Sequence, residues 1–355
     1  MVRILYGVVG EGMGHATRSR VVIEHLLARG HDVRIVASGR ASAYLAERVA
    51  SVGEIWGLTM AYSENEVRRW QTLARNLSGA VSGWPQNVRE YFRIVEEFDP
   101  DAVVSDFESF AWLFGRRHRL PVISVDNIQI IDRCRHDEGI TAGSQADFEL
   151  ARALVRWKLP ACRHYVVTTF FRPPVRRPRT TLVPSLLRPE ILAAAPEPGE
   201  HLLVYQTAEG NEGLPGALAA SGLECRVYGF RRDLDADVHE GRLLYRPFSE
   251  AAFIDDLRSA RAVLTGGGYT LLSECVHLGV PALSVPLAGQ FEQVLNARYL
   301  ERLGYGMYAP HATAAAMVAF AERVPEHRAA LAGAERPGNG PTLAVVDAQL
   351  AAAVP

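Results

Sequence analysis

TGGGYTLLSECVHLGVPALSVPLAGQFEQVLN, Thr265 to Asn296, is the stretch that decides the fold. A glycine-rich turn leaves a hydrophobic strand, Ala262–Leu264, and enters a helix that carries Glu274. A second strand, Ala282–Val285, follows, and its exit carries Gln290, Glu292, Gln293 and Asn296. The first N–H groups of a helix have no intrahelical partner, and the dipole there favours an anion, so Gly267, Gly268, Tyr269 and Thr270 form a candidate phosphate turn. A carboxylate further along accepts from a pair of hydroxyls, and the later Glu-Gln pair can grip more of them. A diphosphate, a ribose and a sugar would each find a partner in this one stretch.

The pattern repeats outward from it. Strand-like runs at Leu202–Tyr205, Cys225–Tyr228 and Leu243–Arg246 precede the turn, and Ala-rich helical stretches at Ala312–Ala332 and Pro341–Val354 follow it. In the first half, Val2–Val9, Asp32–Ala37, Ala102–Ser105, Val122–Val125 and Tyr165–Thr169 read as strands. Thr17–Arg29 reads as a helix from its i,i+4 apolar pairs, with Gly30 as its stop, and Ser109–His118 as another. Such alternation predicts parallel sheets covered by helices on both faces. The proline- and arginine-rich run Arg172–Arg179 cannot be regular helix and reads as the connection between two domains, 1–173 and 174–355. The last helix is free to cross back onto the first domain.

Composition narrows the class. The 355 residues are enough for two domains, and 48% hydrophobic residues suffice for two cores. A net charge of −2 gives no reason to expect nucleic acid. The basic residues include a single lysine, Lys158, which reads as coding bias. Cys134, Cys162, Cys225 and Cys275 lack C-x-x-C spacing, which argues against zinc and for free thiols in a reducing cytoplasm. No apolar run is long enough to span a bilayer, and no charged segment precedes a cleavable apolar stretch.

A second glycine-rich loop, Gly7-Val8-Val9-Gly10-Glu11-Gly12-Met13-Gly14-His15, follows the first strand. Its glycines at 10, 12 and 14 miss the G-x-G-x-x-G spacing. The second strand ends Val36-Ala37-Ser38-Gly39, with no acidic residue for a ribose, and both features weigh against a dinucleotide-binding reading.

The opening stretch resembles the donor-binding half of nucleotide-sugar glycosyltransferases of the GT-B fold. The shared pattern is Gly267-Gly268-Tyr269-Thr270, Ser273-Glu274, Gly279-Val280-Pro281 and Glu292-Gln293-Val294-Leu295-Asn296-Ala297. The chain is most similar to the branch with the peptidoglycan GlcNAc transferase, the UDP-glucuronosyltransferases and the antibiotic glycosyltransferases. It departs at Gly266, where plant members carry a histidine on the diphosphate. The resemblance implies an α/β protein of two doubly wound, Rossmann-like domains facing across a cleft. It also implies that Gly12, Gly14 and His15 belong to an acceptor-side loop. His15 would take the acceptor proton, with Asp106 in VVSDFES as its partner and Glu108 in reserve. Thr207 would lie by the diphosphate and Phe248 beside the base, while Glu274 would hold the ribose and Gln290, Glu292 and Gln293 the sugar.

The expected reaction is inverting and metal-independent transfer from a UDP- or dTDP-sugar to a hydroxyl of a natural product, lipid or glycan, with no cofactor. No Asp-x-Asp stands in a donor position; Asp235 and Asp237 fall in a polar turn. Two rivals share the fold. A non-hydrolysing nucleotide-sugar epimerase typically carries Gly-Thr-Arg after the first strand, which this chain lacks. A non-catalytic sugar-nucleotide-binding partner would not need His15. Trp56, Trp70 and Trp84, with the run RRWQTLARNL, fit packing helices, an acceptor pocket or a peripheral membrane contact, and core packing is the better prior for each tryptophan.

Overall fold

The computed structural model describes residues 1–10, 12–49, 52–57, 85–197, 199–206, 213–231 and 233–354, with the backbone of 62–63 and 66–67. Thr207, Trp70, Trp84 and the run RRWQTLARNL lie outside the described residues.

Two seven-stranded sheets organise the chain. The first contains β1 (Arg3–Val8), β2 (Asp32–Ala37), β3 (Val52–Glu54), β4 (Ala102–Asp106), β5 (Val122–Asp126), β6 (His164–Thr168) and β7 (Thr180–Val183). Their order is β3-β2-β1-β4-β5-β6-β7, and every pairing is parallel. A parallel sheet must be covered on both faces, and β4 and β5 are accordingly buried along their whole length. One face packs on Phe98, Phe107, Phe114, Phe148 and Val155. The other packs on Val22, Ile23 and Leu26 of helix α1 (Met13–Ala28).

The second sheet contains β8 (Leu202–Tyr205), β9 (Cys225–Tyr228), β10 (Val238–Glu240), β11 (Leu243–Arg246), β12 (Ala262–Thr265), β13 (Ala282–Ser284) and β14 (Gly306–Tyr308). Its order is β10-β11-β9-β8-β12-β13-β14, with only the edge pair β10–β11 antiparallel. In open sheets of this kind ligands bind at the strand ends where the order reverses. That point lies between β1 and β4 in the first sheet and between β8 and β12 in the second. His15 follows β1, Asp106 ends β4, and the Gly266–Gly268 turn follows β12.

Three elements join the units. Helix α2 (Tyr269–Leu278) meets α1 across the cleft. Helix α3 (Phe291–Arg302) puts Phe291, Leu295 and Tyr299 into the core of the first unit, where Tyr299 stacks on Phe171 at 4.0 Å. Helix α4 (Gly340–Ala353) returns to the first sheet, burying Val346 and Leu350 beside Ile4 and Tyr6, with Asp347 accepting from His25 at 3.0 Å.

Two expectations need correction. The boundary at 173/174 falls inside the first sheet, because Thr180–Val183 pairs with β6. The Arg172–Arg179 run is therefore a crossing within the first unit. Two of its arginines pin this crossing in place. Arg177 reaches the buried Asp132 at 2.9 Å, and Arg176 and Arg177 donate from their backbone N–H to the Arg133 carbonyl. The first helix also begins four residues earlier than its apolar periodicity indicates, at Met13, because Gly12 turns the chain at φ 81°. His15 thus sits in the first turn of a helix.

Candidate active site

Asp106 is the electrostatic centre of the first unit's strand ends. Its carboxylate is fully buried. His15 Nδ1 is 2.8 Å from Oδ1, Arg18 gives Nε to Oδ2 at 2.7 Å and Nη2 to Oδ1 at 2.5 Å, and the Ser19 hydroxyl gives to Oδ2 at 2.8 Å. Burial alone would raise this carboxyl, but Arg18 and then His15 outweigh it and hold the pKa well below the usual carboxylate range. Asp106 is therefore ionised, and it lies within hydrogen-bond distance of the His15 ring. His15 keeps 13% of its side chain exposed.

Arg18 is a site residue that apolar periodicity does not reveal, although another signal does. A helix starting at Met13 places 15, 18 and 19 on one face by i,i+3 and i,i+4 spacing. The Arg18 side chain is 3% exposed and also reaches Asn127 Oδ1 through Nη1. Asp126, at the end of β5, is a second such residue. It accepts from Ser124 Oγ at 2.6 Å and Gln129 N at 2.8 Å, and burial followed by the nearby Asp106 charge raises its pKa. Glu108 does not reach His15. It caps the helix Ser109–His118, accepting from the N–H groups of Phe110 at 2.7 Å and Ala111 at 2.6 Å.

The second unit faces this pair across Gly14. A Cβ at position 14 would collide with Thr270 Oγ1, so glycine there lets the two loops touch. Gly267 holds φ 88°, which bends the chain from β12 into α2. The N-cap Gly268 supplies no side-chain acceptor, so the first-turn N–H groups of α2 have no cap partner and remain suited to an anion. Tyr269 contributes only its backbone at this turn. Its ring is buried, with the hydroxyl on Ser185 Oγ at 2.7 Å.

Glu274 is buried at 2% exposure, and Arg188 binds both its oxygens, Nε at 2.8 Å and Nη2 at 2.9 Å. Burial raises its pKa and the Arg188 charge opposes the rise. Arg188 continues to Glu250 at 2.8 Å, and Glu250 meets Arg48 of the first unit at 3.3 Å. Glu292 Oε1 accepts from Asn127 Nδ2 at 2.7 Å, a contact between the two units. Gln293 Oε1 accepts from Leu287 N at 2.9 Å and so ties the exit of β13 to α3. Gln290 occupies the N-cap position of α3, and its carbonyl accepts from the N–H groups of Gln293 and Val294. Phe248, between β11 and the helix Glu250–Arg258, is 60% exposed. Trp56 is half-buried, with its backbone pinned on both sides by the Asn87 amide. Among the described residues no group of three His, Cys, Asp or Glu side chains is placed to hold a metal ion.

Comparison with known proteins bears on this geometry. The model for glycosyl transferase family 1 matches residues 2–325. An uncharacterized glycosyltransferase of Methanosarcina acetivorans is 24% identical over 331 residues, covering 86% of this chain and 83% of its own. Among solved structures, the kitacinnamycin glycosyltransferase superposes with a TM-score of 0.73 at 16% identity, over 100% of both chains. The spinosyn rhamnosyltransferase, solved with thymidine diphosphate and with the spinosyn aglycone, superposes with a TM-score of 0.63 at 18% identity, over 98% of this chain and 100% of its own. The fold shared with them is GT-B.

Proposed function

The chain belongs to glycosyl transferase family 1, and from that premise we propose that it moves a sugar from a UDP- or dTDP-linked donor to a hydroxyl of a small-molecule acceptor by a single inverting displacement. The observation that carries this reading is the His15–Asp106 pair at 2.8 Å, set directly across the Gly14–Thr270 contact from the start of α2. As the acceptor oxygen bonds to the anomeric carbon, its proton passes to His15 Nε2. The bond from that carbon to the β-phosphate oxygen breaks, and its electron pair leaves with the diphosphate. The helix start at Gly268–Thr270 stabilises the departing charge, so no cation is required. Glu274, oriented by Arg188, keeps two of its four lone pairs for ribose hydroxyls. Glu292 and Gln293 hold the sugar.

Two structures of one relative in fold favour this donor and acceptor class, since spinosyn rhamnosyltransferase binds thymidine diphosphate and an aglycone. A lipid acceptor and contact with a membrane surface fit the same chemistry. No helix among the described residues is long and apolar enough to cross a membrane. We place the reaction in the cytoplasm, where the four cysteines, all free and buried, stay reduced. The test is incubation with a panel of UDP- and dTDP-sugars and hydroxyl acceptors, read by mass spectrometry. Transfer or slow donor hydrolysis supports the reading. An epimerised donor, or binding without turnover, would replace it with one of the two rivals.

A further inference from the structure

The helix Gln145–Lys158 carries apolar side chains on two faces. Phe148 and Val155 are buried in the core of the first unit. Leu150, Leu154 and Trp157 stand on the opposite face, 40%, 51% and 73% exposed. Their i, i+4, i+7 spacing lines them up as one stripe, with the exposed Ala153 inside it. The core of the first unit accounts for the inner face alone.

Neighbouring elements widen the stripe. The helix Ser109–His118 docks at its end, where Trp112 Nε1 donates to the Pro160 carbonyl at 2.9 Å. Leu113 of that helix is exposed, as are Arg116 and Arg117 on the same side of it. Val175, in the crossing 172–179, is exposed too. Beside it, Arg176 and Arg177 reach the buried Asp132 at 3.8 and 2.9 Å, and Arg156, next to Trp157, reaches the same carboxylate at 3.0 Å.

The charge around these apolar side chains has one sign. The two helices and the crossing hold nine basic residues and two acidic ones, in a chain of net charge −2. Asp132 meets three guanidiniums with a single charge. Glu149 pairs with Arg152 at 3.0 Å. Burial and then Arg152 lower the pKa of Arg176, as crowded guanidiniums should. This excess selects the occupant. A second copy of the same face would set arginine against arginine. An anionic bilayer matches each part: the leucines enter the acyl boundary, the Trp157 ring sits at the headgroups, and the guanidiniums pair with lipid phosphates.

We propose that this face of the first unit docks on an anionic membrane surface, with Leu150, Leu154 and Trp157 as its apolar contact and the flanking arginines as its electrostatic one. None of these side chains is assigned to the transfer reaction, so the inference stands apart from the reading of His15 as the base.

The test is co-sedimentation of the full chain with vesicles of equal parts phosphatidylglycerol and phosphatidylcholine, and with phosphatidylcholine vesicles. The wild type should bind the anionic vesicles at low salt, lose most of that binding at about 0.5 M salt, and bind the neutral vesicles about tenfold or more weakly. Leu154→Gln combined with Trp157→Gln should weaken anionic binding about tenfold or more, and Arg116→Gln combined with Arg117→Gln about tenfold. Both variants should keep the wild-type melting temperature and bind thymidine diphosphate within twofold of it, because all four side chains face solvent. A wild type that stays free of anionic vesicles at low salt would overturn the proposal. So would binding that the Leu154 and Trp157 changes leave intact, which is charge attraction without docking of the stripe. A lipid-free dimer lost in that variant, without vesicle binding, would give the face to a second copy. Retention on polyglutamate without vesicle binding would give it to an acidic protein.

Discussion

Replacing Asp106 by Asn should damage both the fold and the chemistry, and the structure sets the size of each. The carboxylate accepts from Arg18 twice, from His15 and from Ser19, and it is fully buried. An amide of the same shape removes the charge and leaves Arg18, itself 3% exposed, without its carboxylate. Breaking a buried pair from one side costs about 3–5 kcal/mol. Asn retains one acceptor oxygen, so we take the lower end, about 3 kcal/mol, which for a unit of this size is a fall of roughly 10 °C in melting temperature.

The pH dependence carries a sign that checks the cause. Asp106 has its pKa depressed in the folded state. Its stabilisation is therefore present above the unfolded carboxyl value, about pH 4, and is lost as pH falls from there toward the folded value. The variant should lose stability at neutral pH and show a flatter acid branch than the wild type. Turnover should fall by about 10²-fold or more, since His15 loses the partner that fixes its proton on Nδ1. Thermal melts from about pH 3 to 8, with kcat for donor turnover at neutral pH, measure both. A variant with wild-type melting temperature and an unchanged acid branch would refute the central place given to this carboxylate.

Three further outcomes follow from the donor side. Glu274→Gln should weaken UDP and dTDP binding about tenfold, because a charge-assisted hydrogen bond to ribose is worth about 1.5–3 kcal/mol; equal affinity by calorimetry would show that Glu274 serves only Arg188. Glu292→Ala and Gln293→Ala should lower kcat/KM for the preferred sugar and narrow its lead over deoxy or epimeric donors in a competition assay, with UDP affinity little changed; unchanged sugar ratios would leave both residues with a purely structural role. Transfer should persist in excess EDTA, since helix-start N–H groups are assigned the leaving group; complete loss, restored by Mg²⁺ or Mn²⁺, would overturn that assignment.

The legible parts of this chain are those with a local signal. Glycines at 12 and 267 sit at positive φ where a strand turns into a helix, and their spacing marks both loops in the sequence. Strands such as Val122–Asp126, buried on both faces, read as continuous apolar runs. The short edge strands Val52–Glu54 and Val238–Glu240 carry no such run and are not legible. Thr180–Val183 is hidden for another reason: an arginine-rich crossing separates it from the strand it pairs with, and that crossing imitates a domain boundary. Partners distant in sequence leave no local trace at all. Arg188 meets Glu274 86 residues away, and Asn127 meets Glu292 165 residues away. Nothing in a lone arginine or asparagine announces such a contact; only the fold brings them together.

The central claim is that His15 takes the acceptor proton during sugar transfer, and its most direct test is His15→Ala assayed for turnover and for nucleoside diphosphate affinity side by side. Loss of a general base costs about 10²–10⁴-fold in rate, roughly 3–5 kcal/mol of barrier. The account predicts that loss in kcat with saturating acceptor, while UDP or dTDP binding by calorimetry stays within twofold, because His15 lies on the first unit and the donor turn on the second. Full turnover in His15→Ala would contradict it.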